Sequence, residues 1–158
     1  MSEFDAFFPK FEYAFTIAVV LRPAIILGPS NTGQTRAAVY VDSGTVDGRI
    51  KGRVMPMSGG DWAITRADDV LDFDARYLLE LEDGTIVYLQ NRGYRWAPAE
   101  AMAKMRAQEP VAHTDYYMRV SPRFEVAAGP HDWLNKYVFV GVAEKLPRSN
   151  RIHYFQVL

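Results

Sequence analysis

The chain has 158 residues, no cysteine and a formal net charge of −1. That length suits a single domain over residues 1–158 with a sizeable core of its own. The missing thiols exclude disulfides, thiolate metal sites and a cysteine nucleophile, and the near-neutral charge lacks the basic excess of a phosphate-tracking surface, so no nucleic-acid partner is expected. A cysteine-free composition fits a reducing cytoplasm. The acidic start over residues 1–5 lacks the basic beginning of a signal peptide, and the longest apolar run, 14–21, is far too short to span a bilayer. The expectation is a cytoplasmic protein with no membrane partner.

In chain order, strands are predicted over 11–21, 35–42, 48–55, 61–66, 72–82, 85–92, 115–120, 122–127, 136–144 and 150–157. Turn-forming pairs separate them, among them Gly28-Pro29, Asp47-Gly48, Gly59-Gly60, Asp83-Gly84 and Gly129-Pro130. Short β-rich segments between regularly spaced turns point to an antiparallel sandwich or barrel. The stretch Gly28-Pro29-Ser30-Asn31-Thr32-Gly33-Gln34-Thr35 nearly spells a phosphate-binding loop. However, it has Gln34 where the chemistry needs lysine, and a strand follows where a helix should. It reads as a connection.

The clearest strand pair flanks Asp83-Gly84, read as a two-residue type I′ turn. Glu82 then lies opposite Thr85, Leu81 opposite Ile86, Leu79 opposite Tyr88, Tyr77 opposite Gln90 and Arg76 opposite Asn91. One face, with Ala75, Tyr77, Leu79, Leu81, Ile86 and Tyr88, becomes the core face. The other, with Asp74, Arg76, Leu78, Glu80, Val87, Leu89 and Asn91, is mixed and suits a cavity, an interface or an outer surface. One short helix is predicted over 98–106, from the leading proline, early Glu100 and late Lys104 and Arg106. Its Ala101, Met102 and Met105 form an apolar stripe that packs on the sheet.

His113, His131 and His153 show no metal-ligand spacing, so no metal site is expected, and no organic cofactor. No Gly-x-Ser-x-Gly elbow is present. The chemically interesting groups are strand charges beside aromatic rings: Asp61-Trp62, Asp74-Ala75-Arg76-Tyr77, Asn91-Arg92-Gly93-Tyr94-Arg95-Trp96, Tyr116-Tyr117-Met118-Arg119 and Arg123-Phe124-Glu125. The plainer account makes them outer-surface ion pairs and core aromatics. The sharper account makes them a pocket for a planar, anionic or phenolic ligand.

Four stretches in order carry a family resemblance. They are Gly59-Gly60-Asp61-Trp62; Asp74-Ala75-Arg76-Tyr77 with Asp83-Gly84, Tyr88 and Asn91-Arg92-Gly93; Tyr116-Tyr117-Met118-Arg119 with Pro122-Arg123-Phe124-Glu125; and Trp133-Leu134-Asn135 with Phe139-Val140-Gly141. From about residue 11 to 157 the sequence resembles the domain-of-unknown-function 3237 family, also called the UPF0311 proteins. It departs from the family at Asp42-Ser43-Gly44 and at Met57-Ser58, both at loop edges. The resemblance implies a mainly all-β fold, a calycin-like antiparallel β-barrel with one short helix. It implies little about activity.

A barrel of this kind suggests a cofactor-independent enzyme of the lyase or isomerase type. It would act by proton transfer (isomerisation, hydration or dehydration, or ring closure) on an aromatic or polyketide-like substrate held in the barrel. Asp61 is the candidate acid or base, its pKa raised by burial near Trp62. Arg76 and Arg119 would stabilise developing negative charge, and Tyr117 would donate a proton or hydrogen bond. Trp62, Tyr88, Asn91 and Trp133 complete the substrate-binding set. The alternatives are a non-catalytic carrier of a hydrophobic small ligand and a structural homo-oligomer built on aromatic faces. An acid-lined cavity favours the enzyme, a wholly apolar cavity the carrier, and a filled barrel the oligomer.

Overall fold

The computed structural model describes residues 2–158; Met1, the first residue of the acidic start, lies outside the described residues. The chain forms β1 (Phe11–Leu21), β2 (Ile25–Ile26), β3 (Thr35–Gly48), β4 (Gly52–Val54), β5 (Gly60–Asp61), β6 (Ile64–Thr65), β7 (Leu71–Leu81) and β8 (Ile86–Trp96). The helix α1 (Ala99–Arg106) follows, and then β9 (Tyr117–Val126), β10 (Phe139–Leu146) and β11 (Ser149–Val157). All pairings are antiparallel, and the order runs β2-β3-β4-β7-β8-β9-β10-β11-β1. β1 also pairs with β3, from Phe15 opposite Gly48 to Leu21 opposite Val41, which closes the sheet on itself. β4, β5 and β6 each bridge β3 and β7, so together they act as one interrupted stave. The result is the expected antiparallel barrel, closed with eight staves. Among the described residues no helix is long and apolar enough to cross a membrane.

Two predicted breaks are absent. β3 runs straight through Asp42-Ser43-Gly44, because Ser43 and Gly44 pair with β1 and Asp42 forms a bulge between Val41 and Ser43 rather than a turn. β9 runs through Ser121-Pro122; it pairs with β10 only at Val120 and Arg119, so Pro122 falls where one neighbour is missing. The phosphate-loop look-alike closes on itself through Ser30 N–H to Gln34 O and Gly33 N–H to Ser30 O, and β3 follows it.

The interior divides into two halves. Around Phe15, Phe124, Phe139 and Tyr154 the rings interlock at centroid distances of 5.2–5.7 Å and fill one end. Leu134 and Trp133 pack over that end from the short turn at Asp132–Asn135. Towards the other end the inward positions shrink to Ala37, Ala63, Ala75 and Ala143, and a cavity opens. Small side chains at these positions leave room that the interlocked rings of the other end do not. The helix α1 lies between β8 and β9 and buries Ala101 and Met105, as its apolar stripe predicts.

The hairpin register differs from the sequence expectation by one residue. Leu81 N–H bonds Thr85 O and Gly84 N–H bonds Leu81 O, with Gly84 at φ +85°. This is a three-residue loop with a glycine bulge, not a two-residue turn. The observed pairs are Glu80–Ile86, Leu79–Val87, Leu78–Tyr88, Tyr77–Leu89, Arg76–Gln90 and Ala75–Asn91. Because side chains alternate, that single step sends Val87, Leu89 and Asn91 inward and Ile86 and Tyr88 outward. His131 Nε2 bonds Asp83 Oδ2 at 2.7 Å and ties this loop to the turn before β10.

A Cβ added at Gly84 would meet nothing within 4 Å, so only backbone conformation resists substitution there. Gly84→Val should lower stability by about 1–3 kcal/mol, from a β-branched residue held at positive φ. Urea denaturation checks this, and an unchanged midpoint would contradict the bulged loop.

Candidate functional site

The open half of the barrel holds a cavity of about 520 Å³, within the range of small-molecule sites. Its walls are mostly aliphatic, with Phe73 and Met118 as the larger side chains. Into it project Asp61, Tyr77, Asn91, Arg95, Lys145 and Asn150.

The interrupted stave positions Asp61. Gly59 and Gly60 let the chain wedge between β7 and β3. A Cβ at Gly59 would lie 1.9 Å from the Arg76 carbonyl oxygen, and one at Gly60 2.7 Å from that of Val39. The breaks on either side leave two β7 amides without ladder partners, and side chains supply the acceptors. Ser58 Oγ accepts from Leu78 N–H at 3.0 Å, and Asp61 Oδ1 accepts from Asp74 N–H at 3.0 Å. The carboxylate is thereby oriented by the backbone of the neighbouring strand, with Oδ2 left available to a ligand.

Burial pushes the Asp61 carboxyl up to about 6, and the charges of Asp74 and Asp72 add to the rise. The Asp74 amide and the Arg95 guanidinium oppose it. Burial pulls Arg95 below its ordinary value, and its Nε has no hydrogen-bond partner among the described residues. Lys145 is lowered to about 8, by burial and by Arg95. The Tyr77 hydroxyl is wholly buried beside that of Tyr154, and burial raises its pKa. The Oδ1 atoms of Asn91 and Asn150 are unpartnered. Unsatisfied buried polar atoms are costly, and among the described residues four of the five side chains that carry them, Tyr77, Asn91, Arg95 and Asn150, line this cavity, while Tyr154 belongs to the filled end. Among the described residues no three His, Asp or Glu side chains gather as a metal site requires.

Of the eight residues expected at the site, Asp61 and Asn91 line the cavity and six do not. Arg76 lies on the outer wall, paired with Asp74 at 3.1 Å. Tyr117 and Arg119 share a face, as expected, but it is the outer one. Tyr117 stacks on Trp96 at 5.6 Å, and the Arg119 guanidinium lies 5.2 Å from the Tyr117 ring. The apolar alternates Met118, Val120 and Phe124 take the inside of β9. Trp62 is exposed and meets Tyr40 edge-on at 6.0 Å. Tyr88 faces outward through the register step. Trp133 sits at the filled end beneath the Arg49 guanidinium, 4.0 Å from its ring centre. The four expected catalytic side chains therefore do not converge.

Sequence reasoning placed Tyr77 and Arg95 in candidate stretches without giving them a site role, and missed Lys145 and Asn150. A period-two count shows where two of them point: Val87, Leu89, Asn91 and Arg95 share one parity on β8, and Phe139, Gly141, Ala143 and Lys145 share one on β10.

Asp61 binds its proton more tightly in the folded chain than at its ordinary value of 3.8. Stability should therefore fall as pH rises from about 4 to about 6, and stay reduced above that, by up to about 3 kcal/mol for a two-unit shift. In Asp61→Asn the amide oxygen still accepts from Asp74 N–H. This variant should match the wild type near pH 4 and exceed it by about 1–3 kcal/mol at pH 8. Urea midpoints from pH 4 to 8 read the difference, and parallel curves would contradict the desolvated acid.

Residues 9–157 match the family described as "Protein of unknown function (DUF3237)". The UPF0311 protein RPA1785 of Rhodopseudomonas palustris is 35% identical over 148 residues, 93% of this chain and 95% of that relative. Its crystal structure agrees with a TM-score of 0.89 at 34% identity, over 96% of this chain and 98% of that one. A β-barrel-like protein from Acinetobacter baumannii agrees with a TM-score of 0.82 at 30% identity, covering 95% of this chain and 96% of that one. An enzyme from Penicillium herquei, at 22% identity and a TM-score of 0.71 over 95% of each chain, shares the fold. Model match, identity and coverage agree: the chain belongs to the DUF3237, or UPF0311, family.

Proposed function

We propose that this barrel is a cofactor-independent enzyme that moves a proton on an aromatic or polyketide-like small molecule held in its lumen, by isomerisation, hydration or dehydration, or ring closure. The observation that carries the reading is Asp61, a backbone-oriented carboxylate with a proton affinity near 6 facing an open apolar cavity. A base or acid works best when its pKa lies near working pH, and burial tunes carboxylates this way. The lumen is neither filled nor wholly apolar, which favours catalysis over a structural barrel or a simple carrier.

The roles follow from position. Asp61 Oδ2 takes a proton from an acidic C–H or phenol, or returns it to the product. Negative charge then grows on a substrate oxygen. The Arg95 and Lys145 charges stabilise it through a low-dielectric interior. The roles first assigned to Arg76, Arg119 and Tyr117 pass to these inward groups. The Penicillium herquei protein, which shares only the fold at this identity, is itself described as an enzyme.

Exchange of α-protons into D2O tests the reading on a panel of bicyclic aryl ketones such as 1-tetralone, followed by proton NMR. The wild type should accelerate exchange, with a rate that rises through about pH 6 as Asp61 ionises. Asp61→Asn should lower the rate by about 10²–10⁴-fold while the fold is retained. A wild type that binds these ketones and exchanges none of them would identify a carrier instead.

A further inference from the structure

The polar groups of the lumen are not mixed at random along its axis. Val39, Asp61, Ala75 and Asn91 stand side by side across four staves. Arg95 lies four residues further along β8, beside Leu71 and Met118. At about 3.3 Å per residue, its backbone is about 13 Å further along the strand than that of Asn91, or about 10 Å nearer the mouth at the usual tilt of barrel strands. Lys145 is at the same end, opposite Asn150 on β11, with its amide held by the Tyr116 hydroxyl at 2.7 Å. Gln108, after α1, and Arg22 and Arg148 complete this end of the lining.

Charge is separated accordingly. Four cationic side chains line the cavity against one carboxylate, Asp61, although the chain as a whole carries −1. Arg22 is neutralised by Asp42 at 3.2 Å. Arg95 and Lys145 have no carboxylate within 4.0 Å among the described residues. Asp61 and Arg95 therefore face the same space without pairing. A partly enclosed guanidinium left uncompensated is costly, and a planar carboxylate is the ligand group its fork matches.

We infer that the substrate is an elongated monocarboxylic acid, its carboxylate seated on Arg95 and Lys145 at the mouth and its reacting carbon beside Asp61 deeper in the lumen. The part concerning the reacting carbon rests on the proton-transfer reading; the seat for the carboxylate does not. The same separation rejects diacids, because a second carboxylate would sit against Asp61. Small neutral molecules lose the mouth contact and bind more weakly, though they still reach Asp61.

The probes are ω-(2-naphthyl)alkanoates with chains of two to five carbons, each paired with its primary amide, in calorimetric titrations at low and high salt. At least one acid should bind tenfold or more tighter than its amide, with the preference shrinking in high salt. Arg95→Met should lower the preference several-fold, and Arg95→Met with Lys145→Met should abolish it while the naphthyl amide still binds, which reports an intact lumen. Arg119→Met, on the outer wall, should leave it unchanged. Equal affinity for every acid and amide, no measurable acid binding, or a preference that survives the double substitution would overturn the inference. Acid preference without proton exchange would fail the enzyme reading alone, and exchange without acid preference would fail this one alone.

Discussion

Everything else in this molecule depends on the seam between β1 and β3. β1 is hydrogen-bonded to β11 on one side and to β3 on the other along most of its length. Closure satisfies the backbone of what would otherwise be two free sheet edges. It also forces each stave to commit alternate side chains to one shared interior. That interior must be either packed or solvated. This chain does both: interlocked rings fill one half, and alanines leave the other half hollow.

The hollow half turns a folding problem into a chemical one. The stave between β3 and β7 is broken twice, and each break leaves a β7 amide that needs an acceptor. Ser58 meets one need as an ordinary structural patch. Asp61 meets the other with a carboxylate, which places an acid in the cavity wall and fixes its direction. Structural and chemical demands thus fall on one side chain. Its burial carries a stability cost, and its proton affinity follows from that burial.

Much of this was legible in the sequence. Turn spacing and alternation indicate an antiparallel β fold, and the ordered motifs narrow it to the barrel. Gly59-Gly60-Asp61 is visible as a unit. Its glycines prove to be a steric requirement of a stave squeezed between two backbones. The site was only partly legible, for reasons of parity. Asp-Gly admits both a two-residue turn and a bulged three-residue loop, and only the second brings Val87, Leu89 and Asn91 inside. Arg76 and Tyr117 drew notice because they neighbour aromatics along the chain, yet on a strand adjacency means opposite faces. Arg95 and Lys145 sit next to the exposed Trp96 and the half-buried Leu146, while their own parity is that of the buried residues of their strands.

The broken stave also bears on how such proteins diverge. Asp61 belongs to a strand of only two residues, with a connection on each side. Lengthening either connection would shift the acid in depth or remove it, while the long staves on both sides kept their register. An unbroken barrel offers no such freedom, because moving one inward residue means sliding a whole strand past its partners. Descendants of this architecture could therefore acquire new chemistry through short insertions at one wall, under little selection from folding, and the cationic mouth could persist while the reaction beneath it changed.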